Sequence, residues 1–265
     1  MFKIFFILLL FYSSAFSMIA VTVTYPVEAF FLKKIADKTF YIRVIEESET
    51  KFNLDDLAKI KKFATSHYYI NFALDEEKTI EDYFRKRNPN LKVFNMGESL
   101  PFLKLKDGKI NPFIWLDPIL ARDIAKNIYM AVSKINPNDK EIYKINYERF
   151  LDELDETYLD IKKRLVESDL YGIFSFNNEL DYFTNRFRIN NYHRKYKMLH
   201  IDDVSSLLKF VRKENIKHIL ISNEADFRVA QSFKGHIDGK IVEYNIYTRN
   251  WKVNLYTILR GIENF

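Results

Sequence analysis

Residues 117–167 read DPILARDIAKNIYMAVSKINPNDKEIYKINYERFLDELDETYLDIKKRLVE. Asp117-Pro118 is a strong helix start, an Asp N-cap followed by Pro at the first helical position, where the missing N–H costs nothing. Ile124, Ile128, Ala131, Val132 and Ile135 then recur at helical spacing, and Asn136-Pro137 resets the chain. From there Ile142, Ile145, Phe150, Leu154, Tyr158, Ile161 and Leu165 keep the period to about residue 167 with no Gly or Pro between them. Roughly 30 residues at a rise of 1.5 Å make a helix about 45 Å long, longer than one small domain is wide. The heptad is not clean enough for a coiled coil, so the pattern predicts a helix that runs along two lobes.

Strands and helices alternate on both sides of that helix. Upstream, Ile19 to Thr24 alternates as a strand, Val27 to Ala36 is helical behind Pro26, and Phe40 to Ile45 is a second strand. Asn53 reads as the N-cap of a helix to Ala64, Tyr68–Asn71 and Leu91–Phe94 as short strands, and Ile80–Arg87 as the helix between them. Downstream, strands are expected at Tyr171–Phe176, Lys197–Ile201, His218–Ile221 and Lys240–Tyr244. Helices are expected at Asn177–Arg186, Asp202–Lys213, Glu224–Phe233 and Trp251–Ile262. This order predicts an α/β protein of two lobes, each a parallel sheet flanked by helices, joined by one long spanning helix. The expected division is 18–135 for the first lobe, 136–167 for the connecting helix and 168–265 for the second lobe.

Residues 1–17 form a segment of a different kind. Lys3 precedes a short apolar run from Ile4 to Tyr12, then small residues and Ala15-Phe16-Ser17, the layout of a secretory signal peptide with cleavage after Ser17. The run falls short of the roughly 20 residues a spanning helix needs. The chain has no cysteine, so neither disulfides nor a covalent lipid anchor on cysteine are expected, and stability must come from the core. The formal charge of +5 is spread along the chain without a basic stripe, which argues against nucleic acid as a partner. There is no cysteine nucleophile, no G-x-S-x-G elbow and no phosphate-binding glycine loop, so no enzymatic reaction is assigned.

Several segments, in order, resemble a known family. Phe113-Ile114-Trp115-Leu116-Asp117-Pro118 is similar to the "HxWLDP" segment of the zinc- and manganese-specific solute-binding proteins of ABC importers. ARDIAKNIYMAVSKINPNDKEIYKINYERFLDELD, residues 121–155, resembles that family's paired helices. IFSFNNELDYFTNRFRI, residues 173–189, resembles "FHxAFxYFxxxYGL", and IKHILISNEADFRVAQSF, residues 216–233, resembles "VxxIFxEPQF". VTVTYPVEAFFLKKIADKTFYIRVI, residues 21–45, resembles the opening strand–helix–strand. The resemblance implies a periplasmic, monomeric, bilobed protein with a metal-holding cleft, delivering its solute to an ABC permease in the inner membrane.

Family members hold the metal with three His, or two His and a Glu, plus one acidic residue. On the matching positions this chain has Thr50, Phe113, Asn177 and Ser222. A phenyl ring has no lone pair, and neutral hydroxyl and amide oxygens are weak donors for zinc or manganese. Zinc or manganese is therefore implied by the resemblance alone, and no tight site is expected in the family position. Glu46, Glu47, Glu49 and Glu224 are candidates for a displaced site of hard oxygen donors. Charges in such loops are more often solvated, and that is the favoured reading here. His67, His193, His200, His218 and His236 show no i, i+4 ligand pair and read as structural or surface residues. The expected function is a divergent solute-binding component. Two alternatives stay open: an envelope interaction protein without a metal, or a binder of a small organic or chelated-metal ligand against Phe113.

Overall fold

The computed structural model describes residues 18–105, 108–168, 170, 172–193, 201–222, 227, 230, 231 and 239–263. The expected signal segment, 1–17, lies outside them. The first lobe holds β1 (Ile19–Val23), α1 (Pro26–Ala36), β2 (Phe40–Val44), α2 (Leu57–Lys61), β3 (Tyr68–Asn71), α3 (Asp75–Arg85) and β4 (Lys92–Asn95). Its sheet is parallel in the order β2-β1-β3-β4. Two helices follow, α4 (Leu120–Ile135) and α5 (Lys140–Glu167). The second lobe holds β5 (Ile173–Ser175), α6 (Asp181–Phe187), β6 (Asn191–His193), α7 (Ile201–Lys213), β7 (His218–Ile221), β8 (Lys240–Glu243) and α8 (Trp251–Ile262). Its sheet is also parallel, in the order β6-β5-β7-β8. The expected pair of parallel sheets with a long helix between them is what forms.

Helix α5 runs for 28 residues, about 42 Å at the standard rise. Its start and that of α4 follow the expected signals. Asp117 Oδ1 accepts from Ile119 N at 2.8 Å and Leu120 N at 3.3 Å, satisfying backbone donors that a helix start leaves free. The same buried carboxylate receives Arg186 Nε at 2.8 Å on each oxygen, so the cap of α4 also ties down α6 of the second lobe. Asp117→Ala removes a cap and strands a half-buried guanidinium; we expect a loss of about 2 kcal/mol, read as a lower urea midpoint at unchanged m-value.

Several elements differ from the sequence expectation. Asn53 does not cap a long helix: its Oδ1 accepts from Asp55 N at 3.0 Å and its carbonyl from Asp56 N at 3.0 Å, closing a local turn before the short α2. Helix α3 begins at Asp75, not Ile80, because Glu77 Oε2 reaches back to Leu74 N at 2.9 Å and three acidic residues fill the first turn. Ile201 opens α7 instead of ending a strand, and the remainder of that expected strand lies outside the described residues. The strand beside β5 is Asn191–His193, a polar triplet without alternation that pairing with β5 alone specifies. Most of the expected Glu224–Phe233 helix lies outside the described residues; Phe227, Ala230 and Gln231 are helical.

The lobes share one core. A single buried apolar cluster runs from Val21, Phe31 and Ile70 through Trp115 and Ile128 to Ile173, Leu220, Leu255 and Ile262. A smaller cluster on the opposite face of the second sheet takes the alternate residues Phe174, Phe176, Ile219 and Ile221, as the period of two requires. Helix α8 belongs to the last strand's lobe by connection, yet packs across α5. Arg164 of α5 clamps its end, with Nε and Nη2 each 2.5 Å from the buried Glu263 carboxylate.

Candidate functional site

Ligands of open parallel sheets bind beyond the carboxyl ends of the strands, and the residues expected there do sit in those turns. Thr50 follows β2, Asn177 follows β5 and Ser222 follows β7, with Phe113 on the segment before α4. Asn177 and Ser222 are brought together, with Asn177 Nδ2 3.4 Å from Ser222 Oγ. Tyr244, just past β8, joins them: its hydroxyl lies 3.4 Å from Asn177 Oδ1 and 3.0 Å from Glu179 Oε2. Asn177 Oδ1 also accepts from Glu179 N at 3.0 Å, so the amide is held by its own turn.

Phe113 stands on an aromatic wall. Its ring meets Trp115 edge-on at 5.5 Å and Tyr247 at 6.3 Å. Tyr247 in turn lies 4.6 Å from Tyr25, whose hydroxyl donates to Glu76 Oε1 at 2.7 Å. Burial, then the nearby Glu76 charge, push both phenols far above their ordinary range, so both stay neutral. Trp115 Nε1 donates to Ile246 O at 3.0 Å, fixing the same segment from behind.

Thr50 is exposed and its hydroxyl lies 3.0 Å from Ser48 Oγ. It is tied to the others indirectly, through Asn245 Nδ2 donating to Glu49 O at 3.0 Å. The segment Tyr244–Tyr247 therefore touches the surroundings of all four positions. Sequence reading passed over it; the signal was two tyrosines and an asparagine directly behind the last strand. A cavity of about 550 Å³ opens at Ser222, Tyr244, Asn245 and Asn254.

Among the described residues, the displaced acidic candidates do not gather. Glu46 is buried and bound by Lys59 Nζ at 2.7 Å and by Ser48. Its burial raises the carboxyl, but the Lys59 and Ser48 hydrogen bonds outweigh that and hold it below the usual carboxylate range. Glu49 accepts from Arg249 N at 2.9 Å, Glu47 is exposed, and Glu224 lies outside the described residues. Among the described residues, no three His, Cys, Asp or Glu side chains form a metal-holding group. His218 is buried in β7, and burial together with Lys240 and Lys217 lowers it to about 4, which keeps a core imidazole neutral. His193 lies in β6, while His200 and His236 lie outside the described residues.

As a donor set for a divalent cation this site is poor. It offers one ring without a lone pair and three neutral oxygens, of which the Asn177 amide and the Ser222 hydroxyl already face each other. It can instead present hydroxyls, an amide and aromatic faces.

No sequence among the curated proteins matches the chain. Solved structures share its fold. A zinc-bound deletion mutant of ZnuA superposes with a TM-score of 0.80 at 16% identity, over 93% of this chain and 99% of that one. A cadmium-bound periplasmic metal-binding protein from Candidatus Liberibacter asiaticus gives 0.76 at 14% identity, over 92% and 99%. The laminin-binding protein Lbp of Streptococcus pyogenes gives 0.73 at 18% identity, over 93% and 99%. Among the described residues no helix is long and apolar enough to cross a membrane. A family model described as the periplasmic zinc-uptake complex component A, ZnuA, matches residues 21–252, and the chain belongs to that family of solute-binding proteins.

Proposed function

We propose that this protein is the solute-binding component of a metal-type ABC importer whose inter-lobe cleft has lost the usual metal donors. It is exported by a signal peptide cleaved after Ser17, carries no lipid anchor, acts as a monomer and docks on a permease in the inner membrane. It performs no catalysis. The observation that carries the reading is the donor chemistry of Thr50, Phe113, Asn177 and Ser222, together with the closed Asn177–Ser222–Tyr244 contact. Zinc and manganese select imidazole and carboxylate, and neither is present at these positions. The cavity beside Tyr244 and the Phe113–Tyr247 wall favour, as a second reading, a small organic or chelated ligand that stacks on rings and hydrogen-bonds to neutral groups. Native mass spectrometry with zinc or manganese at sub-micromolar free concentration tests the first claim. The expected result is the apo mass alone. A one-to-one metal complex that survives at those concentrations would sink it.

A further inference from the structure

A groove of about 750 Å³ lies between α1, β2 and α5. Its apolar lining includes Phe30, Phe150 and the alternate β2 residues Phe40, Ile42 and Val44. Strand β2 is an edge of the first sheet. Its pairing with β1 is parallel, with Val23 opposite Val44 and Ile45 N donating to Val23 O at 3.0 Å. In a parallel ladder such a bond means that Tyr41, Arg43 and Ile45 spend their backbone groups on β1. The N–H and C=O of Phe40, Ile42 and Val44 therefore point out of the sheet, and none of them meets a hydrogen-bond partner among the described residues. An apolar trough thus borders an open strand edge, the arrangement that folded proteins ordinarily blunt or cover.

The charges around it choose the occupant. Lys33, Arg149 and Arg249 line the groove and are exposed, and the exposed Lys38 precedes the strand. Of the acidic residues lining it, Glu153 is already held by Lys34 at 2.5 Å, which leaves Asp37. A second copy of this chain would bring the same cations against themselves, a like-charge opposition that costs affinity. An acidic strand would not.

We propose that the β2 edge and its groove are a docking site for an extended partner segment whose groove-facing residues, every second one, are apolar in the middle and acidic at the ends. The segment adds a fifth strand to the first sheet. Its backbone completes the ladder at Phe40, Ile42 and Val44, its groove-facing apolar side chains fill the trough, and the carboxylates on that same face meet Lys33, Arg149 and Arg249. This reading does not depend on what the cleft binds.

The probe is a fluorescein-labelled nonapeptide, ETVTVTVTE, whose valines and glutamates share one face of a strand, titrated by anisotropy into the purified protein. The same peptide with lysine in place of both glutamates serves as control. Saturable one-to-one binding of the acidic peptide is expected, with hydrogen exchange slowed at the amides of Phe40, Ile42 and Val44. The double reversal Lys33→Glu/Arg149→Glu changes exposed residues and leaves the fold intact; it should weaken binding about tenfold. Equal binding of both peptides, no slowing at β2, or no response to the reversal would each overturn the proposal. So would a dimer that protects the same amides without peptide, or decanoate filling the groove while the peptide fails to bind.

Discussion

Trp251→Ala is expected to destabilise the protein by about 4 kcal/mol, in the range for deleting a buried indole, and to do so for both lobes in one transition. The Trp251 ring is buried, 5.6 Å from Phe31 and 6.0 Å from Phe30 of the first lobe. Its Nε1 donates to Trp115 O at 2.5 Å. These partners come from the first half of the chain, so α8 is the apolar cover that the second lobe's sequence lays on the first lobe's core. Urea unfolding checks this by far-ultraviolet circular dichroism and by fluorescence, which in the variant reports on Trp115 as the one remaining tryptophan. Coincident curves with a lowered midpoint are expected. Two separate transitions would show that the lobes unfold independently and that the shared core is not cooperative.

Glu28→Ala is expected to cost about 3 kcal/mol, because the fully buried carboxyl accepts from three backbone donors. Glu28 Oε2 accepts from Thr24 N at 2.7 Å and Tyr25 N at 2.8 Å, and its Oε1 from Phe72 N at 3.1 Å. Phe72 N is also 3.1 Å from Glu77 Oε2, so two buried carboxyls share one donor. Glu77 Oε1 finds no protein donor in a doubly ionised pair. A proton on Glu28, facing Glu77, supplies one. Burial first, then the Glu77 charge and hydrogen bond, raise Glu28 well above the carboxylate range, and burial raises Glu77 as well. The neighbouring phenols of Tyr25 and Tyr69 are also pushed up by burial and stay neutral.

The sign of the pH dependence follows from these directions. Unfolded, both carboxyls titrate near 4.5; folded, they hold a proton to higher pH. The folded state therefore binds more protons above that value, and the pair's contribution is complete below about 4.5 and declines as pH rises through the raised folded value. Glu46 acts in the opposite sense, since its lowered carboxyl loses its contribution on acidification. The comparison is therefore between wild type and Glu28→Gln, which keeps an amide oxygen as acceptor and donates permanently toward Glu77. Urea midpoints from about pH 5 to pH 9 should fall for wild type and stay flatter for Glu28→Gln. Parallel curves for the two proteins would mean that the pair holds no shared proton.

Much of the fold was legible because its signals are local. The Asp117-Pro118 start and the unbroken period to residue 167 encode α4 and α5, and the His218–Ile221 and Trp251–Ile262 boundaries match to the residue. The misses fall where distant atoms decide. Asn53 forms a turn instead of a cap, α3 starts early on the Glu77 bond, and β6 exists because β5 pairs with it. The site divides in the same way. Thr50, Phe113, Asn177 and Ser222 are expectations from motif order, each behind or within a recognisable element. That Asn177 touches Ser222, that Tyr244 reaches Asn177, and that Tyr247 backs Phe113 could not be read in advance, because those pairs lie 45 to 134 positions apart. The sequence alone determined most of the elements and their order, since helix periods and caps belong to neighbouring residues. Only the tertiary structure decided that the lobes share one core through α8, that Glu28 and Glu77 share one backbone donor, and that the edge of β2 stays open beside a basic groove. Each of those is a meeting of groups from separate segments, set by packing and desolvation and carried by no local pattern.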